Sequence, residues 1–463
     1  MASRTGKNSQ RVAAATIIGT TIEWYDFFIF STAAALVFPK VFFEPAGPVF
    51  GSILSFALVG ISFLFRPLGA FLAGHYGDRI GRRAMLVVTL ILMGASTSLI
   101  GLLPTFEQVG IWAPILLMFL RVLQGISAGG EWGGAVLMAV EHAAPDRRGR
   151  AGAFPQMGVP LGLLLASGVN ALMTGTIAPG AAYVEWGWRI PFLLSVVLIV
   201  VGYVVRRAVD ESPVFQEMKA SSVRVRVPAV ELFRKHGLLV VIAALIFAGN
   251  NAAGYMATGG FIPSYATSPA VGLQRTDVLL AVAYGSLIWM IFTALAGYLA
   301  DKIGRKNTYL LGFGAQLLAC FPFFWMLASG SLGLLYLGMT IFAVGLGLAY
   351  GPQAALYAEM FPASVRFSGV SISYALGAIV GGAFAPLIAT ALVQNTGSIN
   401  SVATYILGMT VVSIIAVLLV RDRSGIDLSP SNQAQQEVGA LIFDHRTPAA
   451  TVPPTVENPA AAG

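Results

Sequence analysis

Five charged side chains stand inside runs that are otherwise apolar: Glu23 and Asp26 in the first run, Arg66 in the second, and Arg121 and Glu131 in the fourth. A charge at membrane depth costs free energy, so each asks for a partner or a task. The chemistry within reach is proton exchange at a carboxyl group and capture of a carboxylate by a guanidinium. Counting 1.5 Å of rise per residue, Asp26 lies about 18 Å from the outer end of its run and Arg121 about 14 Å from the outer end of its own. At similar depth the two could neutralise each other. Protonating Asp26 would then release Arg121, and a released arginine can hold a substrate carboxylate, coupling one proton to one substrate. Glu23 precedes Asp26 by three residues and lies on roughly the same helical face, so either acid could titrate. Arg66 and Glu131 form a second candidate pair. The alternative for both pairs is that they only pin helices together.

Uncharged polar residues extend the candidate site. Tyr25 adjoins Asp26, Gln156 lies in the fifth run, Asn250, Asn251 and Tyr255 in the seventh, and Tyr350 and Gln353 in the tenth. Adjacent amides in a membrane helix need partners, so these residues either line a cavity or hold helices together. Trp24, Tyr25 and Tyr255 could also cage a cation. Arg189, in WGWRIPF, reads as an interfacial anchor.

What must position these residues is a chain of two related halves. GHYGDRIGRR, from Gly74 to Arg83, returns as GYLADKIGRK, from Gly297 to Lys306, each time between two apolar runs. Both copies read G-x-x-x-D-[RK]-x-G-[RK]-[RK], and a repeat of this kind sends the search for chemistry to the seam between halves. A second signature repeats too. Glu141, Pro145, Arg148 and Gly149 follow the fourth run, and Glu359, Pro362, Arg366 and Gly369 follow the tenth. Together the signatures suggest a gate on one face, built from Gly74, Asp78, Arg79, Gly81, Arg82, Glu141, Arg148, Asp301, Arg305, Glu359 and Arg366. Asp78 and Asp301 would sit near helix N-termini, where the dipole favours an anion. Arg82 would pair with Glu141, and Arg305 with Glu359. The alternative is a static surface salt bridge, worth about 0–1 kcal/mol. An Asp78→Asn variant that transports normally would count against the gate.

Composition sets the medium. The chain of 463 residues is 56% hydrophobic and 11% charged, with mean hydropathy +0.77; a soluble chain carries about 25% charge. Twelve runs read as membrane helices, at about 13–38, 50–73, 84–103, 112–138, 152–175, 188–206, 237–265, 277–300, 308–328, 332–356, 367–392 and 401–420. The domains follow: a polar arm 1–12, a six-helix bundle 13–206, a linker 207–236 with a short surface helix near 212–220, a second bundle 237–420, and a disordered tail 421–463 without heptads. If the N-terminus is inside, 23 of the 28 Lys and Arg fall in inward segments and only Lys40 and Arg275 in outward loops. That asymmetry puts both termini in the cytoplasm and makes the net charge of +7 topological, with no nucleic acid implied. The single cysteine, Cys320, can form no internal disulfide, no HExxH or CxxC spacing marks a metal site, and no GxxxxGK[ST] marks a nucleotide site. No intramembrane histidine or catalytic spacing points to an enzyme.

The duplicated loop resembles the signature of the major facilitator superfamily. GTTIEWYDFFIFSTAAALVFPKVFF, RPLGAFLAGHYGDRIGRR, RVLQGISAGGEWGGA and WGWRIPFLLS are similar to the metabolite:proton symporters, which include shikimate, α-ketoglutarate, citrate and proline/betaine permeases. The resemblance spans residues from about 10 to 425. It implies an all-α membrane protein of twelve helices in two bundles, a central cavity, alternating access, and proton symport in a bacterial inner membrane. It adds weight to Asp26 and Arg121, since a YD in the first run and an arginine in the fourth resemble the coupling pair of proton-linked sugar porters. The tail departs from the osmosensing proline/betaine members, which end in a coiled coil. The reading is a symporter that imports a small carboxylate, working as a monomer, with the proton motive force instead of a cofactor. The alternatives are a symporter for a zwitterion such as proline or betaine, and a drug:proton antiporter.

Overall fold

Inside a bilayer no water satisfies backbone N–H and C=O groups, so long apolar runs must bond within themselves as helices. The computed structural model describes residues 2–80, 82–207, 228–258 and 260–444, with side chains described except within 2–11, 74–86, 205–228 and 257–259. Among the described residues the regular structure is helical, joined by turns and short irregular segments, apart from an isolated bridge between Val420 and Leu441. Ten stretches among them are long and apolar enough to cross a membrane, and Val87–Gly101 is apolar but shorter. The first run lies in the helix Ala2–Leu36, which carries Glu23 and Asp26.

The repeat is visible in local breaks. The fourth run is two helices, Trp112–Ala128 and Glu131–Glu141, parted at Gly129 and Gly130. Its counterpart also parts, about one turn nearer the repeated glutamate, between Leu332–Tyr350 and Gln353–Met360, at Gly351 and Pro352. Glycine and proline weaken the helical ladder there, and packed neighbours keep the two pieces in line.

The halves meet along Arg148–Leu172 of the first and Arg275–Ile303 of the second. They pack tightly at Gly149 and Gly297. A Cβ on Gly149 would lie 2.6 Å from the Gly297 carbonyl, and one on Gly297 would lie 2.9 Å from the Gly149 carbonyl. Any side chain at either position would force the helices apart. Toward the opposite end, Thr174 Oγ1 and Thr276 Oγ1 are 2.9 Å apart. There Gly260, at φ 92°, approaches the Ser31 carbonyl. Outward, Leu64, Leu68, Phe71, Val197, Val200 and Leu318 are exposed. An exposed apolar belt of this kind suits lipid, not water.

Two segments differ from the sequence expectation. Residues 421–444 of the tail are folded back on the bundle, whereas composition suggested disorder. The reason is specific hydrogen bonding, described below. The last part of the linker is also helical: Pro228–Thr258 is one helix with a break at His236, where φ is −129° and ψ is 20°. The surface helix expected near 212–220 lies outside the described residues.

Candidate functional site

Asp26 is buried and accepts a 2.5 Å hydrogen bond from Ser195 Oγ, on a helix 169 positions away in sequence. Thr97 stands beside the same carboxyl group. Thr97 Oγ1 accepts from Gln124 Nε2 at 2.7 Å, and Gln124 Oε1 accepts from Arg121 Nη1 at 2.8 Å. Arg121 is buried too. Its Nε donates to the Leu58 carbonyl at 3.1 Å and Nη2 to the Val59 carbonyl at 3.5 Å, and its guanidinium lies 3.9 Å from the Phe30 ring centre. The expected direct ion pair between Asp26 and Arg121 is therefore not formed. Similar depth does not fix the direction in which a helix points its side chains. Asp26 faces Ser195, Arg121 faces the carbonyls of the Gly47–Ile80 helix, and the polar groups of Thr97 and Gln124 stand between them, Thr97 donating to the Met93 carbonyl at 2.9 Å. Ser195, Thr97 and Gln124 escaped the sequence reading because lone hydroxyls and amides in membrane helices usually serve packing.

A small cavity lies where the halves meet, lined by Trp24 and Val159 of the first half and by Phe247, Asn250, Asn251, Tyr255, Trp289, Tyr350 and Tyr374 of the second. Its volume is about 20 Å³, space for about one water. No metabolite fits in that space in this state. Arg66 flanks the cavity, its guanidinium 5.3 Å from the Trp24 ring centre and 4.4 Å from that of Phe63. Glu23 lies within electrostatic range of Tyr255, Tyr350 and Tyr374, and Glu131 within range of Asp26. Asn251 Nδ2 donates to the Ala378 carbonyl at 3.3 Å.

Other candidates fall beside the cavity. Tyr25 turns away, its hydroxyl donating to the Pro191 carbonyl at 3.0 Å. Gln156 bridges the halves: its Oε1 accepts from Trp132 Nε1 at 2.8 Å, and its Nε2 donates to the Tyr350 carbonyl at 3.2 Å and to Gln353 Oε1 at 3.3 Å. Trp132 stacks on Tyr374 at 3.8 Å between centroids, 10° from parallel. Trp289 and Tyr374 were not singled out from sequence, since an aromatic in a membrane helix more often packs or faces lipid.

At the end of the bundle that carries the tail, charged side chains form a network across the seam. Arg305 donates to both Glu359 oxygens at 3.1 Å, and its Nη1 lies 3.2 Å from Asp301 Oδ1. Asp301 accepts from the Gly149 N–H at 2.7 Å and the Arg150 N–H at 3.0 Å. Those N–H groups are in the first turn of the Arg148–Leu172 helix, where an anion is stabilised. Arg148 Nη1 lies 3.6 Å from Glu359 Oε1, and Arg366 Nη1 lies 3.4 Å from Glu141 Oε1. Three separate contacts thus cross from one half to the other, and the side chains in them are buried except Arg150. The side chains of Gly74, Asp78, Arg79, Gly81 and Arg82 lie outside those described.

The tail closes over this network. Arg148 donates to the Ile426 carbonyl, the Gly425 N–H donates to Glu359 Oε1, and Arg366 donates to the Leu428 carbonyl at 3.0 Å. Gln436 is buried and makes four bonds. Its Oε1 accepts from the Ala363 N–H at 2.8 Å and from Arg366 Nη2 at 2.9 Å, and its Nε2 donates to the carbonyls of Asp427 and Ser429. Ser429 in turn holds the Asp427 carboxyl below the usual carboxylate range through its N–H and hydroxyl. A lowered carboxyl pKa contributes stability above the unfolded value and loses it as pH falls through the folded one, so this turn stays intact at neutral pH. Gln436→Ala leaves a backbone N–H and part of Arg366 without an acceptor, at about 1–3 kcal/mol for the lost partner. Thermal unfolding of the purified variant should therefore begin several degrees below wild type. An unchanged transition would mean that the tail contributes nothing to the fold.

Residues 16–379 match the family model described as Major Facilitator Superfamily. The chain is 38% identical over 416 residues to the inner membrane metabolite transport protein YhjE of Escherichia coli (strain K12), covering 89% of this chain and 94% of that one. It is 37% identical over 420 residues to the shikimate transporter of the same organism, covering 89% and 95%. It is 31% identical over 457 residues to the proline/betaine transporter of that organism, covering 95% and 89%. Among solved structures, the proton:xylose symporter XylE bound to 6-bromo-6-deoxy-D-glucose superposes with a TM-score of 0.73 at 17% identity, covering 92% of this chain and 98% of that one.

Proposed function

This chain belongs to the major facilitator superfamily, a family of multi-pass membrane transporters and not of enzymes, and from that premise we propose that it is a proton-coupled symporter importing a small organic carboxylate by alternating access. The observation that carries the coupling is Asp26, a buried carboxyl group held by Ser195 and standing beside Thr97, which accepts from Gln124, itself bonded to the buried Arg121. A proton on Asp26 changes what this chain of polar groups must balance, and Arg121 sits against two backbone carbonyls of the neighbouring helix. Loading the acid therefore acts on how that helix packs, without direct contact between the two charges. Glu23 is the alternative acid, on the same helix and nearer the cavity. Arg66, against Trp24 at the cavity wall, supplies the positive charge that favours a carboxylate.

The charge network on the tail side then acts as the inner gate, closed here and broken when the site faces the cytoplasm. On this reading the chain crosses a bacterial inner membrane twelve times with both termini in the cytoplasm; the Lys and Arg asymmetry supports that orientation, and the likeness to a relative named as an inner membrane protein supports that location. The protein works as a monomer, on the proton motive force. A second reading, transport of a zwitterion such as proline or betaine, draws support from the aromatic walls of the cavity.

Uptake into energised membrane vesicles tests this with labelled shikimate, α-ketoglutarate, citrate, malate, proline, betaine and glucose. Accumulation of a carboxylate that collapses with a protonophore is the expected outcome. Accumulation of proline or betaine alone favours the second reading, and entry that ignores the protonophore contradicts coupling.

A further inference from the structure

The cavity between the halves holds polar atoms that the protein leaves unused. Among the described residues, Trp24 Nε1, Trp289 Nε1, Tyr255 OH and Asn250 Oδ1 have no hydrogen-bond partner, and all four side chains are at least nine-tenths buried. All four residues line the same cavity. Buried polar groups without partners are rare, because they have lost water and gained nothing. Several at one cavity, on both sides of the seam, call for a ligand to complete them.

Their chemistry limits that ligand. An indole N–H can only donate, so the two tryptophans require two acceptor atoms. An amide oxygen can only accept, so Asn250 Oδ1 requires a donor. The remaining wall is ring face, from Tyr350, Tyr374 and Phe247. Building on the transport reading, we infer that Trp24, Trp289 and Asn250 form the recognition set for a compact hydroxy acid. Its oxygen atoms accept from one indole on each half, and one of its hydroxyls donates to Asn250. Trp24 belongs to the first half and Trp289 to the second, so the ligand bridges the halves once the cavity between them widens to admit it. A quaternary ammonium compound satisfies the rings but offers Asn250 no proton. A hydroxyl-free acid satisfies the indoles but fails in the same way. Binding sites built to hydrogen-bond a hydroxyl discriminate strongly against analogues that lack it, since a buried group is then left unpaired.

The test is equilibrium binding to the purified full chain, read by thermal shift and by competition, which needs no proton gradient. The probes are two matched pairs, shikimate with cyclohex-1-ene-1-carboxylate and malate with succinate, together with proline and glycine betaine. Wild type should bind the hydroxylated member of at least one pair ten-fold or more tighter than its partner. Trp289→Phe and Trp24→Phe keep a ring and remove only the N–H, and each should weaken that binding at least ten-fold. Asn250→Leu should erase the preference within the pair while the hydroxyl-free acid keeps its affinity. Equal binding within both pairs overturns the inference, and so does preference for proline, whose N–H could serve Asn250 in place of a hydroxyl, preference for glycine betaine, or failure of every probe to bind. Unchanged binding in both phenylalanine variants overturns it as well. In each of these cases, proton-dependent uptake lost in Asp26→Asn would leave the transport reading standing.

Discussion

Asp26→Asn is expected to abolish accumulation of substrate against its gradient while leaving downhill exchange measurable. One-to-one symport of a proton with a monocarboxylate moves no net charge, so the pH difference alone drives it, and each pH unit is worth about 1.4 kcal/mol, or roughly a ten-fold substrate gradient. An amide of the same size keeps Ser195 as a partner but cannot exchange a proton, so the steady-state ratio should fall to about one. Binding should survive, because Asp26 is not among the residues that line the cavity. Glu23→Gln separates the two acids. If Glu23 is the coupling group instead, its variant loses accumulation and Asp26→Asn retains it. Accumulation that persists in both single variants would mean that neither acid carries the proton alone.

The second large effect is expected from Asp301→Asn, on the opposite function of holding the tail side shut. Asp301 accepts from two backbone N–H groups and lies 3.3 Å from Arg150 Nε, all on the other half, and it also neutralises Arg305 on its own half. The pair with Arg305 lies within one half and is present in both states, so it does not bias them. The backbone N–H bonds from Gly149 and Arg150 exist only when the halves meet, and losing the charged acceptor costs the closed state about 1.5–3 kcal/mol. The ratio of closed to open molecules should drop by a factor between about ten and a hundred, at 1.4 kcal/mol per factor of ten. Cys320 is the only cysteine and is buried, so a cysteine placed at Ala354, also buried and close to Gly152 across the seam, reports this directly. Labelling of that cysteine by an impermeant maleimide in inside-out vesicles should be slow in the parent and fast with Asp301→Asn. Equal labelling would reduce the network to a static surface feature.

Much of this was legible in the sequence, for identifiable reasons. The twice-repeated glycine and aspartate loops announced two halves, and membrane-depth charges are conspicuous because they cost so much. Azimuth was not legible. Spacing along a helix gives depth, yet which neighbour a side chain meets depends on packing between distant segments, as Asp26 shows by bonding to Ser195. Tyr25 was placed at the cavity for the same reason, being adjacent to Asp26 in sequence but turned to Pro191. The tail misled through composition. Its polar, proline-bearing stretch lacks the apolar content of a core, but Gln436 and the backbone around Ile426 and Leu428 order it by occupying arginines that the bundle already buries.

The most direct test of proton symport is the movement of protons themselves. A substrate identified by uptake is added to right-side-out vesicles in weakly buffered medium, and external pH is followed with wild type and with Asp26→Asn. The account predicts external alkalinisation on substrate addition with wild type and none with the variant. Substrate entry without any alkalinisation in wild type would make the protein a facilitator and contradict the coupling.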